Sequence, residues 1–333
     1  DKHANNVSKP MEINTTNVSK PMEINTKNVS KPIGKNTKSV SKSVGNTKNK
    51  KINVSESSKY FHNRSKGVVQ GYTIAGKYYV MVQTNEKNHK ARLILKDKET
   101  GKTVTMDYNE DFGHGNDLDY NAKRNELVMP YVDSKTGEDA IKIIKLGKKD
   151  KNGNFETVTK NVPFRVGAIA YNKNDDSYYV TSMPRNGEKG VINKLDANTL
   201  KVDEKYEKEY KAGFNFGDGT YVTQGMTMKD DKIYYAATKK YDWDNYIFAY
   251  DAKSGNMVEK IKIPYSEGKG ELESIKFDEN GDLTGNFINK QGGKNNKNII
   301  IGKIDIDNNS STPPNNNAST SSDSNNNSTN YSV

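Results

Sequence analysis

The sequence predicts an all-β fold, a five-bladed β-propeller with a disordered N-terminal repeat arm and a disordered C-terminal tail. Three observations carry this. First, five segments share one pattern of small or polar residues, an alternating apolar strand, a polar turn and a second strand. They are "VQGYTIAGKYYVMVQ" (69–83), "HGNDLDYNAKRNELVMPYV" (114–132), "RVGAIAYNKNDDSYYVTSM" (165–183), "TQGMTMKDDKIYYAAT" (223–238) and "ELESIKFDENGDLTGNF" (271–287). Second, their starts lie 45–58 residues apart, about the length of a four-stranded blade. Third, the apolar fraction of 32% is low for a wholly packed chain and leaves room for unpacked ends.

The blades follow in chain order. After each hairpin comes a third apolar run: "ARLILKD", "AIKIIKL", "GVINKLD", "YIFAYDA" and "NIIIGKI". A turn rich in Gly, Asn and Asp follows the first four of these, and a fourth strand then closes the blade. The fifth unit lacks such a strand before the tail. The segment around 52–66, ahead of the first blade, is expected to supply it and close the ring. The predicted domains are a basic spacer over 1–58, the propeller over 59–307 and a tail over 308–333.

The spacer reads "NVSKPMEINTT", "NVSKPMEINTK", "NVSKPIGKNTK" and "SVSKSVGNTK" over 6–48. Pro10, Pro21 and Pro32 break any helix the 11-residue period could build, and each unit has too few apolar residues to offset ordering entropy. Its Asn-Val-Ser triplets are read as repeat drift, not glycosylation sites. The tail is rich in Asn, Ser and Thr, with no sorting motif or hydrophobic anchor. Residues 1–66 hold 14 of the 52 Lys and Arg but 4 of the 42 Asp and Glu. That leaves 38 of each beyond them, so the net charge of +10 resides in the arm. A basic arm beside a neutral domain argues against a nucleic-acid reader and suits attachment to an anionic polymer. With no cysteine, disulfides and Cys-ligated zinc are excluded. No stretch is apolar enough for a membrane span. The chain starts at Asp1, which suits a mature form whose export signal has been removed. A secreted monomer, associated with the cell surface, is expected.

In a propeller the innermost strands begin at one mouth of the central channel. Aligning the five inner strands puts Gln70, Asn116, Gly167, Gln224 and Glu273 in one layer. Two residues earlier lie Val68, His114, Arg165, Val222 and Glu271, on the same side of an alternating strand. The other histidines (His3, His62, His89) fall in the arm, its junction and a loop. His114 with Glu271 would make an acid/base pair, and Arg165 could hold an anionic group. Gln70, Asn116, Asp117, Gln224 and Glu273 are candidate ligand contacts. The bland alternative is a polar channel lining in which Asn116 and Asp117 satisfy strand-start donors. No organic cofactor is expected. A metal would need Asn116, Asp117, Glu271 and Glu273 as oxygen ligands and would be Ca²⁺ or Mg²⁺. "DENGD" (278–282) is read as a hairpin turn and not half a calcium loop. On the mouth face, Trp243 in "KKYDWDNY" is either a sugar-stacking platform or a hairpin aromatic packed on its own blade. The long crossover over 208–223 could lid the mouth; its "GFNFGDG" lacks the setting of a phosphate loop.

The recurring "QG" before an inner strand, with "GHGNDLDYN", "VGAIAYN" and "QGM" in order, resembles a family of exported Gram-positive five-bladed propellers. That family includes the helveticin-J-like class III bacteriocins. The resemblance covers about residues 60–307 and implies a secreted, envelope-acting, antimicrobial protein; it carries over no catalytic residues. On this reading the chain is an envelope-binding protein, not an enzyme, with cell-wall glycan or anionic wall polymer as its partner. The alternatives are a glycan or small-molecule lyase or hydrolase acting at the channel mouth, and a non-catalytic scaffold.

Overall fold

The computed structural model describes residues 51–61, 66–133, 135–182, 190–209, 221–264, 270–288 and 298–307. The repeat arm before Lys51, the tail after Asp307 and the crossover over 210–220 lie outside the described residues. The regular elements are strands, arranged as five four-stranded antiparallel sheets. Blade 1 comprises β2 (Val68–Ala75), β3 (Tyr78–Thr84), β4 (Lys90–Asp97) and β5 (Thr103–Asp111). Blade 2 comprises β6 (Asp119–Asn121), β7 (Glu126–Val132), β8 (Asp139–Lys149) and β9 (Phe155–Asn161). Blade 3 comprises β10 (Val166–Asn172), β11 (Ser177–Ser182), β12 (Val191–Asp196) and β13 (Val202–Glu209). Blade 4 comprises β14 (Tyr221–Lys229), β15 (Lys232–Lys239), β16 (Asn245–Asp251) and β17 (Met257–Ile263). Blade 5 comprises β18 (Glu271–Phe277), β19 (Leu283–Ile288) and β20 (Asn298–Asp307), and its outer strand is β1 (Lys51–Phe61).

The N-terminal strand thus closes the ring, pairing antiparallel with β20 from Lys51↔Asp307 to Phe61↔Asn298. It starts at Lys51, inside the segment the sequence assigns to the spacer. The cause is local alternation: Ile52 and Val54 are buried on the blade 4 side, between polar residues that face outward.

Each blade is apolar on both faces because each is covered by two neighbours. The buried apolar residues accordingly form five clusters, one per blade–blade interface. Leu93 and Leu95 pack on Leu127 and Ile144 between blades 1 and 2. Phe287 and Ile304 pack on Ile247 and Ile261 between blades 5 and 4. Burying both faces explains the near-continuous apolar runs of the middle strands.

The turns between outer strands repeat one device. Asp97, Asp196 and Asp251 each accept the two amides two and three residues ahead through Oδ1. "DENGD" is the hairpin turn expected of it: Asp278 Oδ1 accepts from Asn280 and Asp282, and Gly281 has φ 78°.

The "QG" signature acquires a physical meaning. The inner strands β2, β10, β14 and β18 each shift register against their partners here, between Val69/Tyr72, Val166/Ile169, Thr223/Met226 and Leu272/Ser274. A bulge at this point frees backbone amides, which side chains then take up. Thr181 Oγ1 accepts from Ala168 N at 2.7 Å, and Asn286 Oδ1 from Ser274 N at 2.8 Å. Neighbouring blades also meet here. A Cβ on Gly225 would collide with Ser274 Oγ and lie 2.6 Å from Asp117 Oδ1. Among the described residues no helix is long and apolar enough to cross a membrane.

Candidate functional site at the channel mouth

An inner strand pairs on one side only, so its other edge presents unpaired N–H and C=O groups to the axis of the ring. Here side chains satisfy them. Asp117, just ahead of β6, is fully buried; its Oδ2 accepts from Ile169 N (3.0 Å) and Met226 N (3.1 Å). Its Oδ1 accepts from Ser274 Oγ at 2.7 Å and Lys276 Nζ at 3.2 Å. Lys276 Nζ also donates to the carbonyls of Ile169 (3.4 Å) and Met226. Residues of blades 2 and 5 thereby bind the exposed edges of blades 3 and 4. Burial pushes the Asp117 carboxyl above its usual value, against Lys276, the Ile169 amide and the Ser274 hydroxyl, which pull it down. On the inner edge of blade 1, Gly71 N donates to Gly115 O at 2.8 Å.

Asp117 is therefore spent on the ring itself. Read from sequence as a ligand contact, it has both oxygens engaged by protein. The same bonds remove it from a metal set, and among the described residues no three His, Asp or Glu are placed to hold an ion.

Above this clasp the inner strands begin, and blade 5 contributes two buried carboxylates, Glu271 (6% exposed) and Glu273 (3%). Glu271 Oε1 accepts from Gln224 Nε2 at 3.2 Å. The same Gln224 nitrogen donates to Thr238 Oγ1 (3.1 Å), which donates to Asn245 Oδ1 (3.2 Å). Asn245 also accepts from Leu272 N (3.0 Å) and donates to Gly270 O (2.8 Å), clamping the backbone on both sides of Glu271. On the next blade Gln70 is half-buried, and its side-chain oxygen is buried with no hydrogen-bond partner. A buried acceptor without a protein donor is costly unless a donor is supplied from outside the chain.

Asn245 ends the loop that carries Trp243. This tryptophan is 39% exposed and its neighbour Tyr241 is 95% exposed, both with left-handed φ (62° and 79°). Trp243 N donates to Lys239 O, closing the turn. The aromatic loop is thus tethered, through Asn245, to the start of β18.

His114 belongs to the segment that precedes the inner strand of blade 2. Its two flanking glycines both adopt left-handed φ, 64° at Gly113 and 67° at Gly115, which explains "GHG" on backbone grounds. His114 is exposed at the rim, and Thr84 Oγ1 donates to its carbonyl at 3.1 Å. Partial burial, His89 and Arg165 hold its imidazole below the usual value, with Glu86 opposing. Its charged surroundings are thus those of blades 1 and 3. Asn116 is half-buried, Gly167 buried and Arg165 exposed. The nine candidates divide three ways: Glu271, Glu273, Gln224, Gln70 and Trp243 on blades 4, 5 and 1; His114, Arg165 and Asn116 across the mouth; and Asp117 below.

Sequence reading missed Lys276, Ser274, Thr238 and Asn245. Lys276 left a signal, as a cation in the otherwise apolar core half of "ELESIKF". Asn245 and Thr238 left none, since their role depends on cross-strand register.

No family model matches the chain, and no curated protein does. Among solved structures it is similar to an exo-β-1,3-galactanase of Phanerochaete chrysosporium at 10% identity and TM-score 0.48, over 77% of this chain and 64% of that one. The chain thus spans less than two thirds of that galactanase. A glycoside hydrolase family 43 β-xylosidase/α-arabinofuranosidase from a compost metagenome is similar at 13% identity and TM-score 0.48, over 76% and 94% of the two chains. The PQQ-bound aldose sugar dehydrogenase of Streptomyces coelicolor is similar at 10% identity and TM-score 0.45, over 77% and 98%. These are sugar-acting enzymes and none is a bacteriocin. The expected kinship with helveticin-J-like bacteriocins, the antimicrobial envelope-binding reading and the preference for a non-enzyme are set aside.

Proposed function

We propose that the protein is a glycan-cleaving enzyme, a hydrolase or lyase, with its site at the channel mouth. The observation that carries this is the pair of buried carboxylates on one inner strand, Glu271 and Glu273, beside the unpartnered oxygen of Gln70. Two carboxyl groups at one site can protonate the leaving oxygen of a glycosidic bond and activate water or attack the sugar from the other side. The amide chain from Gln224 to Asn245 orients Glu271, and Gln70 would accept a sugar hydroxyl. Trp243 and Tyr241 offer the stacking surface an extended sugar needs. We place this activity outside the cell, on an envelope or other extracellular glycan; the positive surplus of residues 1–66 supports an anionic polymer as partner.

The test is release of new reducing ends from a panel of neutral and acidic polysaccharides. Wild-type protein is expected to cut at least one. Glu271→Gln and Glu273→Gln are each expected to lose about 10²–10⁴-fold in rate while folding normally. Undiminished cleavage by both variants would overturn the assignment.

A further inference from the structure

The far side of the mouth from the carboxylates has the opposite electrostatic character. His89 lies at the end of the β3–β4 loop, and its carbonyl accepts from Phe112 N at 2.9 Å. Its Nδ1 is 3.7 Å from Asp111 Oδ1, an oxygen that also accepts from Gly113 N at 2.7 Å. These contacts, with the Thr84 bond to His114, fix the loop of blade 1 against the "GHG" segment and bring both histidines to one stretch of rim. Arg165 opens the inner strand of the next blade. Among the described residues no carboxylate lies within ion-pair distance of Arg165 or His114. The acids nearby are Asp111, already engaged by His89 and Gly113, and Glu86, which is exposed.

We infer that His89, His114 and Arg165 form an anion subsite that receives the acidic group, carboxylate or sulfate, of a glycan substrate. The inference rests on the glycan reading above and names its substrate class as an acidic polysaccharide. The polarity of the mouth supports it. An anionic sugar is drawn to the rim of blades 1–3 and repelled from Glu271 and Glu273, which orients its neutral linkage toward the carboxylates. Guanidinium geometry suits two-oxygen contact with either anion. Facing His114 are His89, Arg165 and Glu86, and facing His89 is Asp111. An imidazole held below its ordinary value is mostly neutral at pH 7, so anion binding takes up a proton and strengthens as pH falls.

The experiment follows the histidine C2-proton resonances of the full chain by NMR during titration with sodium glucuronate, sodium sulfate or methyl glucoside. Glucuronate or sulfate is expected to shift His114 and His89 saturably and raise their titration midpoints. Methyl glucoside is expected to leave both unmoved. Arg165→Gln is expected to weaken the anion at least tenfold, and affinity is expected to rise from pH 7.5 to 5.5. A response to sulfate alone or to glucuronate alone assigns the anion as sulfate or carboxylate and supports the subsite either way. Shifts that never saturate, or that are equal in Arg165→Gln, overturn it. Glu273→Gln separates the two claims: it should abolish cleavage and keep the titration. Cleavage without anion binding sinks this inference alone, and anion binding without cleavage sinks the enzymatic reading alone.

Discussion

Asp117 and Lys276 meet at the axis of the ring, 3.2 Å apart, with side chains 0% and 3% exposed, though 159 positions apart in the chain. Between them they take up amides and carbonyls of the two intervening blades. The pair gives the exposed inner edges of blades 3 and 4 their partners where solvent would otherwise have to reach.

Removing one partner is therefore worse than removing both. Lys276→Met should cost about 3–5 kcal/mol, since it strands a buried carboxyl group. The double variant Asp117→Asn/Lys276→Met should recover part of that loss. Urea denaturation of the two proteins measures the difference, and equal stabilities would refute the clasp.

Gly225 is the steric counterpart. Its backbone needs no left-handed φ, so an alanine there would look harmless from conformation alone. The Ser274 hydroxyl and Asp117 Oδ1 occupy the space instead. Gly225→Ala should destabilise by about 1–3 kcal/mol, the usual range for overpacking. Gly76→Ala, with open space around it, meets only the φ penalty of about 1 kcal/mol. Thermal melts of the two variants should rank in that order.

The repeat made most of the ring readable. Tyr-rich hairpins, Asp-led turns and the small residue at each bulge recur because each blade must solve the same packing problem. Even the closing strand could be placed, since blade 5 ran out of chain. The site was readable only in part. Glu271, Glu273, Gln224 and Gln70 stood out because polar residues occupied equivalent inner positions. The clasp and the Asn245 relay did not, because they depend on register between distant strands. The neighbourhood of His114 with His89 was hidden too, because His89 reads in sequence as a loop residue.

Arg124 and Asp176 join blades 2 and 3 on the opposite face at 2.6 and 2.8 Å, with Tyr171 and Lys123 also donating to the carboxylate. Arg124 foremost holds the Asp176 carboxyl well below its usual range. A depressed carboxyl contributes stability above its unfolded value, near pH 4, and loses it as pH falls further. Asp176→Asn should be about 1 kcal/mol less stable than wild type at pH 7, a figure reduced for partial exposure. The gap should narrow below pH 4 in acid denaturation curves; a gap that stays constant would rule out the pair as its source.

Loss of β1 should open the ring. Removing residues 1–61 strips the partner from β20 and exposes Ile300 and Ile304, leaving an apolar edge prone to self-association. Light scattering should show aggregation of that truncation, whereas a monomeric, cooperatively melting product would contradict closure by β1.

The chain has one tryptophan, and its loop is tethered through Asn245 to the start of the strand that carries Glu271 and Glu273. Intrinsic fluorescence therefore reports occupancy of that site with no added label. The decisive measurement is titration of the Glu271→Gln/Glu273→Gln protein with oligosaccharides of whichever polysaccharide the wild type cuts. A saturable change in Trp243 emission with no cleavage is the predicted result. Continued cleavage by the double variant, or emission that never responds to a cleaved glycan, would contradict a carboxylate site at the channel mouth.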